Sequence, residues 1–330
     1  MGGPPTIENP TVFTPGYSVN LLSKFVRLVL VIICVTLFAF SLVSLLPGDA
    51  ARTFNPFASP EQIAQIRADL RVDDPFPVRY GRWLGDFVRG DLGQYYGVAG
   101  DTVADKFGKD FPKTLLLVLY TQIFVLLLAI PLGVFTGARA GSAFDKSMNL
   151  LFFLALSIPA FVLAFFFKKY LTIDREVLPE RGWVDFSVNP VEHFRHLILP
   201  VLCLGLSQIA VYARLLRSDM VATLQEDYIT MAKAKGIKPN RILFRHALRP
   251  SSLTLLTVIG LNVGTLIGGA VIIERIFGLP GIGTDTVEAL QARQIVAVQS
   301  FVAVIGIAFV LVNFVVDLLY SVLDPRIRRG

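Results

Sequence analysis

The groups able to do chemistry in these 330 residues are few. His193 and His196 stand three apart ahead of an apolar run, and His246 sits in a basic stretch. The i, i+3 pair admits metal binding from one helix face, and an interfacial polar role is the preferred reading. Cys34 and Cys203 lie inside apolar runs without C-x-x-C spacing, so they read as lipid-facing or packed thiols. No G-x-x-x-x-G-K-[ST] phosphate loop and no H-E-x-x-H zinc pair is present. Gly281-Ile282-Gly283 lacks the strand and helix that a nucleotide fingerprint needs around it. Apart from Asp317 near the end of the last apolar run, the runs hold little ionisable at mid-depth, so coupling to a proton or sodium gradient has no residue to work through. No catalytic residue and no metal ligand is assigned. The energy must come from another chain, which needs a handle on this one.

That handle is the stretch 218–250, where Lys233, Lys235, Lys238, Arg241, Arg245 and Arg249 face three acids, Asp219, Glu226 and Asp227. Asp227 to Lys235 predicts a short helix capped by Asp227 and stopped by Gly236. Pro239 through Leu248 predicts a second, with arginines at i, i+4 and i+8 on one face before Pro250 starts the next span. Two short helices joined at Gly236 suit a groove in a partner, with Ala232 allowing close approach. Retention charge against anionic lipid headgroups explains the same composition equally well.

The elements that hold this stretch are long apolar runs. A hydrophobic fraction of 54% against 17% charged residues, gathered into runs near the ~20 residues that cross a bilayer, excludes an ordinary soluble domain. The net charge of +6 gathers beside the runs, as in loops retained at the cytoplasmic face, so nucleic acid is not the expected partner. No cleavable signal peptide is expected, because Met1 to Asn20 is polar and the first run is too long. Residues 1–20 read as a disordered cytoplasmic tail, 21–46 as the first span and 47–112 as an extracytoplasmic segment with ten acids against eight bases. Pro60 and Glu61 open a short helix toward Leu70 within that segment. A core of 113–320 carries five further spans at 113–137, 148–168, 197–217, 251–273 and 298–320, and 321–330 is a cytoplasmic tail. Both termini are then cytoplasmic. Lys168 and Lys169 sit awkwardly on the outer side, held there by the acidic balance of the segment that follows. Gly260, Gly264 and Gly268 recur every four residues, a spacing that lets another helix approach closely.

With these residues laid out, the chain resembles the inner-membrane permeases of ABC importers, in particular the dipeptide/oligopeptide permease B-type subunits. The resemblance runs from about Phe25 and rests on ordered strings. They are Leu46-Pro47-Gly48-Asp49, Gly90-Asp91-Leu92-Gly93, Tyr212-Ala213-Arg214-Leu215-Leu216-Arg217, Gly268 through Phe277 with the Gly278 to Gly283 turn, Asp317-Leu318-Leu319-Tyr320, and Leu323-Asp324-Pro325-Arg326. The stretch Asp227 to Ile237 resembles the family's coupling loop, although Thr230 stands where glutamate is common and Met231 where alanine is common.

The resemblance implies an all-α, six-span membrane protein with the type I ABC importer permease fold and a small extracytoplasmic insertion after the first span. It implies a bacterial inner or plasma membrane, pairing with a homologous C-type permease, two ATP-binding subunits carrying ATP and Mg, and an extracytoplasmic peptide-binding protein. No cofactor is expected on this chain. Asp227, Tyr228, Ala232, Lys235, Gly236, Arg241 and Arg245 would meet the ATPase. Gly260, Gly264 and Gly268 would pack or slide along the path, and Glu274, Phe277, Pro280 and Gly281 would meet the binding protein. Peptide is the implied cargo, with nickel or glutathione import as the near alternative. A channel or membrane scaffold is the more distant one, which leaves the basic two-helix connector unexplained.

Overall fold

The computed structural model describes residues 17–44, 59–61, 63, 64, 67, 73–95 and 102–323, with side chains described over 23–42 and from there to 316. The strings at 46–49 and 324–326, the side chain of Asp317, most of the tail 1–20 and most of the helix expected from Pro60 lie outside the described residues.

The described chain is helical, with one isolated bridge between Gln94 and Thr102. In order come α1 (Tyr17–Ser44), α2 (Phe76–Val88), α3 (Val103–Ala138), α4 (Ala143–Ser157), α5 (Ala160–Phe167) running into a π-helical turn at Lys168–Ile173, and α6 (Pro190–Thr223). Then follow α7 (Asp227–Ala234), α8 (Pro239–Arg241), a π-helical turn at Ile242–Ala247, α9 (Leu248–Phe277), α10 (Ile282–Gln291) and α11 (Ile295–Leu323). Among the described residues, five helices are long and apolar enough to cross a membrane: Ser23–Leu42, Val103–Ala138, Pro190–Thr223, Pro239–Phe277 and Ile295–Val316. A sixth crossing is available if Ala143–Ser157 and Ala160–Ile173 act together.

That pair is bent by 91°, where the sequence suggests one straight run. The cause is local. Proline pushes the residue before it out of the helical region, and Ile158 sits extended at φ −102° and ψ 116° ahead of Pro159. Pro131 and Pro200 stay inside unbroken helices, which lipid-buried bundles tolerate when neighbours resupply the lost bond.

Helix starts are chemically marked. Thr102 Oγ1 accepts the Asp105 amide at 3.0 Å and donates to Asp105 Oδ2 at 2.7 Å, fixing the start of α3. Asn189 Oδ1 accepts from Val191 and Glu192 at the start of α6, with Pro190 in the first turn.

α3 and α6 form the most extensive helix pair. A Cβ on Gly133 would lie 2.9 Å from the Ala213 carbonyl oxygen, and one on Gly137 would lie 2.7 Å from Met220 Cβ. This small-x-x-x-small seam, Gly133 to Gly137, brings the two helices together. Beside it, Tyr212, Leu216, Met220 and Ile229 pack in one buried cluster, and Leu197, Ile267, Ile273 and Phe277 in another toward the opposite end. Many large apolar side chains remain uncovered, including Leu150, Leu154, Phe161 and Phe165. In water this surface would be costly, whereas lipid covers it.

Candidate functional site

Two regions, one at each end of the bundle, hold the residues singled out from the sequence. The connector end gathers the last turns of α3 and α6 with residues 224–250. The turn end gathers the close of α9 with α10.

At the connector end, the cap position of α7 is Glu226, whose side chain makes no capping bond, so Asp227 lies in the first turn rather than at the cap. Its charge there suits the positive end of the helix. The helix stops at Gly236, which is left-handed at φ +71°. Gly236 N–H donates to Lys233 O at 3.0 Å and Ile237 N–H to Ala232 O at 3.2 Å, the paired bonds of a Schellman stop.

Ile229 and Ala232 are buried in the chain's own core, while Tyr228 and Met231 are exposed. Ala232 is therefore turned inward, which corrects its expected role in admitting a partner; Tyr228 and Met231 present the open face. Tyr228 Oη donates to the His246 carbonyl at 3.4 Å. That carbonyl lies four residues before Pro250, which has no N–H to give it. Burial, then the Glu226 carboxylate, raises the Tyr228 phenol above its usual range.

No helix end separates the second basic stretch from the next span. Pro239 to Phe277 is one 39-residue helical rod that runs through Pro250, with the π-helical turn taking up the register. Lys235, Arg241, Arg245 and Arg249 are exposed. None of them forms an ion pair with a described residue.

The connector is anchored by a contact the sequence did not reveal. Asp145, in the first turn of α4, is buried and accepts a two-pronged bond from Arg217 of α6, with Nη2 to Oδ2 at 2.6 Å. The Gly141 amide and the Asn149 carboxamide donate to the same carboxylate at 2.8 and 2.7 Å. Arg214 lies over the Phe153 ring at 4.1 Å. The two charged partners are 72 residues apart, and the only sequence trace is a lone acid in a basic loop and an arginine at the end of an apolar run.

At the turn end, Glu274 is 1% exposed. Thr114 Oγ1 donates to Glu274 Oε1 at 2.7 Å and the Gly283 amide to Oε2 at 2.9 Å, while the Ile282 amide donates to Thr114 Oγ1 at 3.1 Å. The glycines of the turn are those the carboxylate requires. A Cβ on Gly281 would stand 2.4 Å from Glu274 Cδ, and one on Gly283 would stand 2.3 Å from Val271 Cα. Phe277 and Gly281 are buried and Pro280 is half-buried. Of the four residues expected to meet a binding protein, Glu274, Phe277 and Gly281 therefore face inward and build the turn. Arg275, which reaches Glu288 at 3.2 Å and Gln291 at 3.0 Å, is on the exposed side.

Lys168 joins this end: its Nζ donates to the Ile276 carbonyl at 2.7 Å and lies 3.5 Å from Glu180. A lysine that counted awkwardly as a topological signal is committed to the negative end of α9. Nearby, Asp285 of α10 is buried 3.9 Å from Lys106, beside Asp110, which Lys113 pairs at 2.8 Å. Burial first, then the Asp110 charge, pushes the Asp285 carboxyl up to about 7.

Gly260, Gly264 and Gly268 do not act as one stripe. A Cβ would meet Val316 at Gly260 and Phe309 Cδ2 at 2.6 Å at Gly264, both on α11, whereas Gly268 has nothing within 4 Å. His193 and His196 make separate contacts. His193 is buried among aromatic rings with Nδ1 2.6 Å from the Val184 carbonyl oxygen, and His196 Nδ1 is 2.7 Å from that of Glu192. His193 is thus a core residue rather than an interfacial one.

Comparison with known proteins adds a family. The model for the binding-protein-dependent transport system inner membrane component matches residues 129–329, and the N-terminal model for the same transport-system membrane component matches residues 19–123. A probable peptide ABC transporter permease protein, y4tP of Sinorhizobium fredii, is 34% identical over 311 residues, 94% of this chain and 99% of its own length. A putative peptide transport system permease protein of Brucella abortus is 35% identical over 93% of this chain and 98% of its own. The oligopeptide transport system permease protein AppB of Bacillus subtilis is 32% identical over 90% and 95%. Among solved structures, an inward-facing MetNI methionine ABC transporter chain superposes with a TM-score of 0.52 at 15% identity, over 66% of this chain and 96% of that one. At that identity the likeness is one of fold.

Proposed function

The chain belongs to the binding-protein-dependent transport system inner membrane component family, and from that premise we propose that it is the membrane-spanning permease subunit of an ATP-driven importer of di- or oligopeptides. The cargo reading is supported by the printed names of its relatives, several of which are called peptide or oligopeptide permeases. Energy enters through the connector, whose exposed Tyr228 and Met231, with Lys235, Arg241 and Arg245 unpaired among the described residues, offer apolar and cationic contacts to cytoplasmic ATPase subunits that carry ATP and Mg. Gly236 sets the angle between the two short helical pieces. A homologous permease completes the path, with the open Gly268 on its side of α9, and an extracytoplasmic binding protein delivers peptide at the turn end. Both termini and the connector then lie in the cytoplasm.

The observation that carries this reading is the connector itself: a basic surface without an ion-pair partner among the described residues, at the head of a rod that spans the bundle. The test is uptake into cells expressing the whole transporter, with labelled dipeptide, a longer peptide, glutathione and nickel compared side by side. Peptide uptake that disappears when Arg241 and Arg245 are both changed to glutamate, together with loss of the ATPase subunits on co-purification, is the expected result. Transport of nickel or glutathione alone overturns the cargo, and full ATPase retention by the double variant overturns the docking surface.

A further inference from the structure

Behind the connector lies a cleft of about 600 Å³ that neither the fold nor the proposed ATPase contact uses. Its walls come from the final turns of two spanning helices and from the connector: Gly137 of α3, Val221 at the end of α6, Leu224 just beyond it, and Ile242 and Leu243 of the π-helical turn. These groups are apolar or bare backbone, and Gln225 adds one neutral polar side chain. Lys233 is the one charged residue in the lining, and its ammonium makes no ion pair with a described residue.

Placement and chemistry together select the occupant. Two of the walls are the final turns of helices long enough to cross a membrane, and Gly137 closes the expected span 113–137, so the cleft lies beside the leaflet that these helices leave. A mainly apolar slot with one amide and a lone cation matches an anionic amphiphile: its acyl chain lies against the partly open Leu224 and Leu243, and the phosphate reaches Gln225 and Lys233. Six cations against one acid over 227–250 draw anions to the same place. The volume suits a single small ligand or lipid segment and is too small for a protein helix with its side chains. We propose that the cleft binds one anionic phospholipid of the adjoining leaflet, which fills the space between the connector and the bundle. α7 is already held to the core through Ile229 and Ala232, so the lipid supports the remaining side of the connector.

The test is native mass spectrometry of the full-length chain released from detergent after exposure to phosphatidylglycerol, phosphatidylcholine or inorganic phosphate. Wild type is expected to retain one phosphatidylglycerol in preference to phosphatidylcholine and no phosphate. Lys233→Gln should weaken phosphatidylglycerol retention about fivefold, the worth of one cation at a charged leaflet, without altering that of phosphatidylcholine. Leu224→Trp, which fills the slot, should abolish retention; its melting midpoint in lipid-free detergent is measured alongside. Equal retention of both phospholipids by wild type, or phosphatidylglycerol binding unchanged in Lys233→Gln, overturns the proposal. Retention of inorganic phosphate alone overturns the lipid in favour of a free anion. None of these readings requires cargo or ATPase, so the outcome stands apart from the transport reading.

Discussion

The two ends of the bundle treat their charges in opposite ways. At the turn end, Glu274 is buried and both of its oxygens are answered within the chain by Thr114 and Gly283. At the connector end, Arg241, Arg245 and Arg249 stand exposed without a carboxylate among the described residues. A charge satisfied internally maintains shape, because burying it alone would be prohibitive. A charge left open stays available to another molecule. The turn end should therefore resist substitution for reasons of stability, and the connector for reasons of association.

The sharpest way to break this contrast is Gly283→Ala. With Val271 Cα 2.3 Å from the added carbon, the backbone must shift, and a loss of about 3 kcal/mol or more is expected, read as a lower melting midpoint and poor membrane yield. Next is Asp145→Ala, which strands Arg217 and should cost about 3 kcal/mol in the same assay. It places one internally satisfied charge at the connector end, so the contrast belongs to the exposed arginines and not to the whole of that end.

Gly264→Ala against Gly268→Ala is a smaller, paired test. The first meets Phe309 at 2.6 Å and should cost about 1–3 kcal/mol, whereas the second meets nothing and should change the midpoint by less than about 0.5 kcal/mol. A transport defect in Gly268→Ala without a stability change would assign that face to the path.

Asp285 gives a pH-dependent version of the same contrast. Its carboxyl titrates near 7 in the folded chain against an ordinary 3.8, so the folded state holds the extra proton between these values. Stability then falls as pH rises from about 4 to about 7 and levels off above, and Asp285→Asn should remove that slope from the melting profile. The smallest effect on stability, within about 0.5 kcal/mol, is expected for Arg241→Glu with Arg245→Glu. A large melting shift in that variant would mean that the arginines serve the fold and not a partner.

The helical membrane fold was legible because the apolar runs are long enough that few alternatives exist. The stop of α7 was legible for a local reason: only the residue at 236 needed to take a left-handed conformation, and it is glycine. The facing of Ala232 was not legible, because an eight-residue helix has two plausible apolar sides and the choice is made by Ile229 reaching the core. Nor was the Asp145 pair, whose partner is brought near only when α3 and α6 close on Gly133 and Gly137. Lys168 counted awkwardly for a similar reason. Counting charges assumes that lysines are solvated, and this one is bound to the end of a neighbouring helix.

The 39-residue rod from Pro239 to Phe277, about 58 Å at helical rise, has a left-handed glycine just beyond each end, Gly236 at φ +71° and Gly278 at φ +58°. Each of these glycines turns the chain out of the helix in a single residue, so the length of the rod is fixed by backbone geometry at both extremities, and a side chain at either position would carry the strain of a left-handed turn.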